Sequence, residues 1–330
     1  PLDMLKESSI IFINDKSLTC NDRIGVCSFS NVFNIVSQLS PVINISIEHI
    51  DPKQKLIDAI KNITADGTTD IYGSLYKFSE SKTIAHENNI SIMNYNVRLF
   101  NLYKWISNEA IEEQLVNFIK TEAPDVLALQ EYHPRESTKL SFYKYKYEKL
   151  LGKNKKYGQA IFSNYPIINS GSIAFPNTFN NAIYVDILKS KDTIRIYNIH
   201  LQSLRIDPKV ESLTTEESEK LFVGVGKTFK MQQTQAELFL KHKNACTYKT
   251  IICGDFNNTA FSYVYKQVKG SFKDTFKVAG NGFGRTYNFK FFPMRIDFIF
   301  ADPAFSVNGF KTYDVEYSDH YPIMTKVSLE

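Results

Sequence analysis

The chain has 330 residues, enough for one large domain or two smaller ones. Apolar residues make up 43% and charged residues 22%, which excludes collagen-like, low-complexity and largely disordered chains. Lys plus Arg is 39 against 35 Asp plus Glu, and a net charge of +4 singles out neither nucleic acid nor a membrane surface as a partner. Residues 1–85 offer a strand-like run at 9–14, an amphipathic helical stretch near 52–63 and a loop or linker at 64–70. They hold no cluster of catalytic residue types, and the pattern changes near residue 86. The expected organisation is therefore an N-terminal extension, 1–85, with no role assigned, followed by a domain at 86–330.

The second part alternates between two periodicities. A strand at 90–97 ends in polar residues, and 108–122 carries apolar residues at 111, 115, 118 and 119, the period of a helix. A short apolar run, 126–131, has the pattern of a buried strand and ends in Glu131. Strands are expected at 159–163, 182–188, 193–200, 249–253, 295–300 and 322–327, and a helix at 229–242. Residues 205–227, with nearly balanced charges, read as a loop or lid. Strands outnumber helices, and helices sit between some of them, which suggests two sheets with helices on their outer faces.

Other features carry less. Cys20, Cys27, Cys246 and Cys253 form no CxxC pair, so they read as small core thiols, with a lean toward a reducing compartment such as the cytoplasm. No run of about 18 apolar residues exists, so no membrane span is expected. The sequence begins at Pro1 rather than Met, which leaves a leader or anchor upstream, and membrane association, as open questions. Residues 139–156 contain seven Lys and one Glu interleaved with Tyr. A strand with a solvated Lys face over packed Tyr accounts for this better than a base-stacking platform. The Gly-rich stretch 281–285 lacks the Lys-Ser/Thr ending of a phosphate-binding loop and reads as an ordinary loop.

Several apolar runs end in side chains able to bind a metal or move protons: Asn96, Glu131, His200, Asp255 with Asn257, and Asp319 with His320. Asp297 lies within a strand-like run. Any one of them alone is best read as a turn residue or cap. The repetition over five segments points to a site at one edge of a sheet.

Six segments then carry a resemblance: MNYNVR at 93–98, PDVLALQE at 124–131, YNIHLQS at 197–203, ICGDFNNT at 252–259, RIDFIF at 295–300 and YSDHYPI at 317–323. In this order they resemble the endonuclease/exonuclease/phosphatase superfamily, over about residues 88–328. The resemblance implies a four-layer α/β sandwich, two central mixed β-sheets flanked by helices, and hydrolysis of phosphoesters with Mg²⁺ or Mn²⁺. It implies Glu131 as principal metal ligand, with Asp319 assisting and Asn96 close by. Asp255 would activate water, Asn257 would donate to a phosphoryl oxygen, and His320, oriented by Asp297, and His200 would act at the phosphate or leaving group.

Departures narrow the subclass. Arg98 stands where some members have Asp, either to bind substrate or to pair with a carboxylate. The Trp before Gly-Asp and the Arg after Asn of the inositol phosphatases are replaced by Cys253 and Asn258. The SDHYP form is closer to bacterial sphingomyelinases. The expected function is a phosphodiesterase acting on nucleic acid or a phospholipid headgroup. The alternatives are a phosphomonoesterase and a non-catalytic binding module that retains the fold.

Overall fold

The computed structural model describes residues 27–29, 33–35, 89–151, 156–204, 215–289 and 293–329. The chain divides into two compact units, Pro1–Phe78 and Ser79–Glu330. Of the first, only an antiparallel pair is described, β1 (Cys27–Phe29) with β2 (Phe33–Ile35). The expected strand at 9–14, helix at 52–63 and loop at 64–70 lie outside the described residues, as do the side chains of Cys20 and Cys27.

The second unit contains two mixed six-stranded sheets. One has the order β13–β14–β3–β4–β6–β5, formed by Phe305–Thr312, Ile323–Leu329, Ile90–Asn96, Val126–Tyr132, Tyr157–Ser163 and Tyr145–Leu151. The other has the order β11–β12–β10–β9–β8–β7, formed by Lys273–Asp274, Asp297–Ala301, Lys249–Asp255, Asp192–His200, Asn181–Lys189 and Ile167–Ala174. Each has one parallel pair at its centre, β3 with β4 and β10 with β9, and antiparallel neighbours around it.

Alternation of side chains across each strand sorts the apolar residues into layers. Ile92, Val126, Ala128 and Ile161 from the first sheet meet Val185, Ile196, Ile251 and Ile299 from the second in the central core. On the outer face of the first sheet, Leu115 and Ile119 of α1 (Ile111–Glu122) pack with Met93, Tyr95 and Leu127. On the outer face of the second, α2 (Thr215–Asn244) contributes Ala236 and Phe239, and α3 (Tyr263–Lys269) contributes Val264 and Val268. A short α4 (Thr275–Ala279) is capped by Asp274, whose carboxylate accepts from the backbone N–H of Phe276 and Lys277. The result is the four-layer sandwich.

Some sequence expectations change. Residues 215–227 are helical rather than loop, because α2 extends back from the apolar face that begins near Phe229. The strand expected at 295–300 starts only at Asp297. The Lys- and Tyr-rich stretch is a strand only from Tyr145, at a sheet edge; Tyr143 is buried beneath it, while Tyr145 is exposed. Lys153 and Lys155 lie outside the described residues. Cys253 is buried, as a core thiol should be, and Cys246 is half-buried.

Gly254 shows how closely the two parallel strands approach. A Cβ there would sit 2.0 Å from the Ile199 carbonyl oxygen of β9. Gly254→Ala is expected to destabilise the domain by about 3 kcal/mol, the upper end of the usual overpacking range, because the obstacle is backbone. Urea denaturation of the two proteins checks this, and a change under about 1 kcal/mol would show that β9 can move aside.

Candidate active site

The two parallel pairs bring their C-terminal ends to one edge of the sandwich. Asn96 ends β3 and lies in register with Gln130 of β4, next to Glu131. His200 ends β9, Asp255 ends β10 and Asp297 begins β12, and these three are register neighbours across adjacent strands. Asp319 and His320 lie in the turn just before β14, which pairs with β3. All seven of these expected positions, and Asn257 after β10, thus converge.

Asp255 is the centre of the arrangement and is 1% exposed. One oxygen, Oδ1, accepts from the Asn257 backbone N–H at 2.8 Å. The other, Oδ2, accepts from Asn96 Nδ2 at 3.0 Å and Asn257 Nδ2 at 3.2 Å. Nε2 of His200 and Nε2 of His320 each stand 3.7 Å from the same oxygen. Burial pushes the Asp255 carboxyl up to about 6, with Asp297 adding to the rise and His320, His200 and the Asn257 N–H opposing it.

The two histidines are driven apart. Burial pulls His320 down, but Asp297, Asp255 and Asp319 outweigh it and carry the imidazole up to about 10. Its Nδ1 lies 2.9 Å from Asp297 Oδ2. Burial pulls His200 down, and His320 adds to this against the opposing pull of Asp255. At neutral pH one ring is an imidazolium and the other a neutral imidazole, a division of labour suited to acid–base work.

Asn96 Nδ2 also donates to Glu131 Oε1 at 3.2 Å. Glu131 occupies a β-bulge in β4 with φ of 48°, and Asn257 also has φ of 48°. Arg98, Leu99, Phe100 and Asn101 form a left-handed turn with φ between 41° and 58°. Left-handed backbone at a non-glycine residue costs on the order of 1–2 kcal/mol each. It is held by burial of Phe100 against Tyr132 and by Asn101, whose side chain bonds both N–H and C=O of Ile106. The turn aims Arg98 at Asp319, 3.2 Å away, with the Trp105 ring 4.4 Å beneath the guanidinium. Arg98 thus meets a carboxylate of the site directly.

The oxygen-rich set Glu131, Asp319 and Asn96 fits a hard divalent cation. Burial and the charge of Asp319 both push the Glu131 carboxyl up, against the pull of His320, Asn96 and Arg98, so negative charge is crowded where a cation would relieve it. Asp255, Asp297 and His320 also lie close enough together to hold an ion. There, however, the His320 Nδ1 is engaged by Asp297 and the ring is cationic, which suits a proton carrier better than a ligand.

The site also includes residues with no obvious chemical signature in the sequence. Thr286 Oγ1 accepts from the N–H groups of Ile296 and Asp297 and fixes the start of β12. Tyr287 packs edge-on to His320 at 5.0 Å. Asn94, Gln130, Asn198 and Gln159 form a buried ladder of amides beneath: Gln130 Nε2 donates to Asn94 Oδ1 at 2.8 Å and Asn198 Oδ1 at 2.6 Å, and Gln159 Nε2 to Asn198 Oδ1 at 3.1 Å. Beside Glu131 and His200 opens a groove of about 1030 Å³, walled by the aromatic rings of Tyr103, Trp105, Tyr157 and Phe179.

The sequence matches the model of the Endonuclease/Exonuclease/phosphatase family over residues 93–320, a span that contains all nine site residues. The chain belongs to the endonuclease/exonuclease/phosphatase family. Members of this family are divalent-metal-dependent hydrolases of phosphoesters, and its α/β sandwich is the one seen here. Solved structures agree. A family protein from Bacteroides vulgatus superposes with a TM-score of 0.57 at 18% identity, covering 74% of this chain and 100% of that one. The catalytic domain of human nocturnin, with a bound sulfate, gives 0.56 at 19%, covering 76% and 97%. A mannosyl-6-phosphatase of Bacteroides thetaiotaomicron gives 0.54 at 16%, covering 73% and 100%. No curated protein matches the chain significantly in sequence.

Proposed function

We propose that residues 86–330 form a catalytic domain that hydrolyses a phosphodiester, with Asp255 as the general base. The observation that carries this reading is the buried Asp255 carboxylate, pushed up to about 6 and set between a neutral His200 and a cationic His320. Asp255 takes a proton from water as the water oxygen bonds to phosphorus. Asn257 Nδ2 and the His320 imidazolium donate to the phosphoryl oxygens, whose charge grows in the transition state. Asp297 holds the His320 ring, neutral His200 donates a hydrogen bond to the phosphate or the leaving oxygen, and that oxygen takes a proton from water as its bond to phosphorus breaks. Glu131, Asp319 and Asn96 would hold Mg²⁺ or Mn²⁺, which when bound neutralises phosphate charge. Arg98, now paired with Asp319, lies within reach to steady a phosphate. A nucleic acid and a phospholipid headgroup both supply the required diester, and the groove leaves room for an ester arm beside the phosphate.

The test is hydrolysis of bis-p-nitrophenyl phosphate and p-nitrophenyl phosphate with Mg²⁺, Mn²⁺ or EDTA. Metal-dependent diester turnover is expected. Turnover of the monoester alone would move the assignment to a phosphatase. The pH profile of kcat/KM carries a second expectation. The base works once deprotonated, so activity should rise through about pH 6; His320 works while charged, so activity should fall toward pH 10. A flat profile between pH 5 and 7 would remove Asp255 as the base.

A further inference from the structure

Asp319 has both carboxylate oxygens engaged. Oδ1 accepts from Ser318 Oγ at 3.2 Å, and Oδ2 faces Arg98 Nη1 at 3.2 Å. Asp319 is also one of the residues that would hold the divalent ion. Arg98 therefore sits on an oxygen of the metal set, and two cations at one carboxylate repel each other. The Arg98 charge also acts on Glu131, the other carboxylate of that set. His320, the second cation of the site, lies with Asp255 and Asp297 instead.

The backbone beneath Arg98 is fixed. Its N–H donates to Asn96 Oδ1 at 3.0 Å, and the Val97 N–H donates to the Gln130 carbonyl oxygen at 3.1 Å. Further along the turn, Arg135 donates to the Phe100 carbonyl oxygen at 3.3 Å and pairs with Glu112 at 2.6 Å. The Arg98 side chain is free of such ties. It is 32% exposed, and its guanidinium carbon lies 4.4 Å from the centre of the Trp105 ring. An aromatic face attracts a guanidinium over a range of positions, and the five N–H donors of Arg suit phosphate as well as carboxylate. A fixed pivot under a long, partly exposed side chain gives one charge two places to rest: on Asp319, or on an anion bound beside it.

We propose that Arg98 is a displaceable counter-cation that couples metal binding to phosphate binding. In the metal-free protein it neutralises Asp319. Once Asp319 takes up its divalent ion, Arg98 is released from the carboxylate and donates to a phosphate oxygen. Metal alone then binds more weakly than the carboxylates would allow, and metal and phosphate each tighten the binding of the other. This rests on the phosphoesterase reading and adds to it the way in which that site is loaded.

The experiment titrates wild type, Arg98→Gln and Arg98→Lys with Mg²⁺ by calorimetry, each without and with saturating inorganic phosphate. Arg98→Gln should bind Mg²⁺ alone about tenfold more tightly than wild type, as loss of a partly exposed like charge would give. Arg98→Lys, which keeps the charge, should bind it as weakly as wild type. Phosphate should tighten Mg²⁺ binding about tenfold in wild type and by about threefold or less in Arg98→Gln. An arginine that only propped the turn would have the opposite sign: its loss would weaken Mg²⁺ binding. Trp105, the single tryptophan of the chain, gives a second readout. Mg²⁺ should change its fluorescence in wild type, as the guanidinium shifts on the ring, and leave Arg98→Gln unchanged.

Arg98→Gln binding Mg²⁺ no more tightly than wild type would overturn the proposal. So would phosphate coupling of equal size in the two proteins. Wild-type hydrolysis of bis-p-nitrophenyl phosphate is measured in parallel. Metal-dependent turnover with equal Mg²⁺ affinities sinks only the role of Arg98, whereas absence of Mg²⁺ binding in all three proteins, with or without phosphate, sinks the phosphoesterase reading along with it.

Discussion

Asp255→Asn is expected to lower kcat for a phosphodiester by about a thousandfold, the middle of the range for loss of a general base. Asn fills the same volume but takes up no proton. It also meets a hydrogen-bond conflict. Asn257 N–H donates to Oδ1, while the side-chain amides of Asn96 and Asn257 donate to Oδ2. Whichever way an Asn amide is turned, one NH₂ group faces a donor, at a cost of about 1–3 kcal/mol. Stopped-flow turnover with the Mg²⁺ affinity measured calorimetrically on the same protein separates the two effects. Metal affinity should change little, because the proposed ligands are Glu131, Asp319 and Asn96. A loss below tenfold would place the base elsewhere.

His320→Ala should be the most damaging single change to both stability and activity. Asp255 and Asp297 are each 1% exposed, and His320 is the cation between them. Removing one partner of a buried ion pair costs about 3–5 kcal/mol, because the remaining charge stays desolvated. The pH dependence has a definite sign. The folded state raises His320 above its ordinary value to about 10, so its contribution is complete below about pH 6.5 and is lost as pH rises through 10. Wild-type stability should therefore fall toward pH 10, and His320→Ala should lack that fall. Thermal melts at pH 6, 8 and 10 for both proteins check this. Equal wild-type melting at pH 6 and 10 would mean that the imidazolium contributes nothing.

Much of the proposed catalytic constellation was legible in the sequence because several of its members, Asn96, Glu131, His200 and Asp255, end strand-like runs. Glu131 after five buried strand residues and Asp255 after Ile251-Ile252-Cys253-Gly254 announce themselves by the break in hydrophobicity. The supporting residues sit inside such runs, where a polar residue looks like a poor strand former. Asn94 and Asn198 occur two positions before Asn96 and His200, on the same strand face, and that i−2 spacing was the available signal. Thr286 and Tyr287 come from a loop, where neither period nor composition marks them. Helix α2 was cut short because residues 205–227 are polar with nearly balanced charges; the helix nonetheless runs through Gly224 and Gly226, where an added Cβ would meet nothing within 4 Å. The aromatic groove draws on loops and strand ends far apart in sequence, so no linear pattern could assemble it.

The amide ladder beneath the site has a consequence for how the molecule fails. Asn94, Gln130, Asn198 and Gln159 tie the two sheets together, yet none of the four side chains changes charge with pH. Only the carboxylates and imidazoles above them respond to acid. The protein should accordingly fall silent before it falls apart: mild acid disarms the chemistry while the joint between the sheets holds, and neutralisation restores activity without refolding.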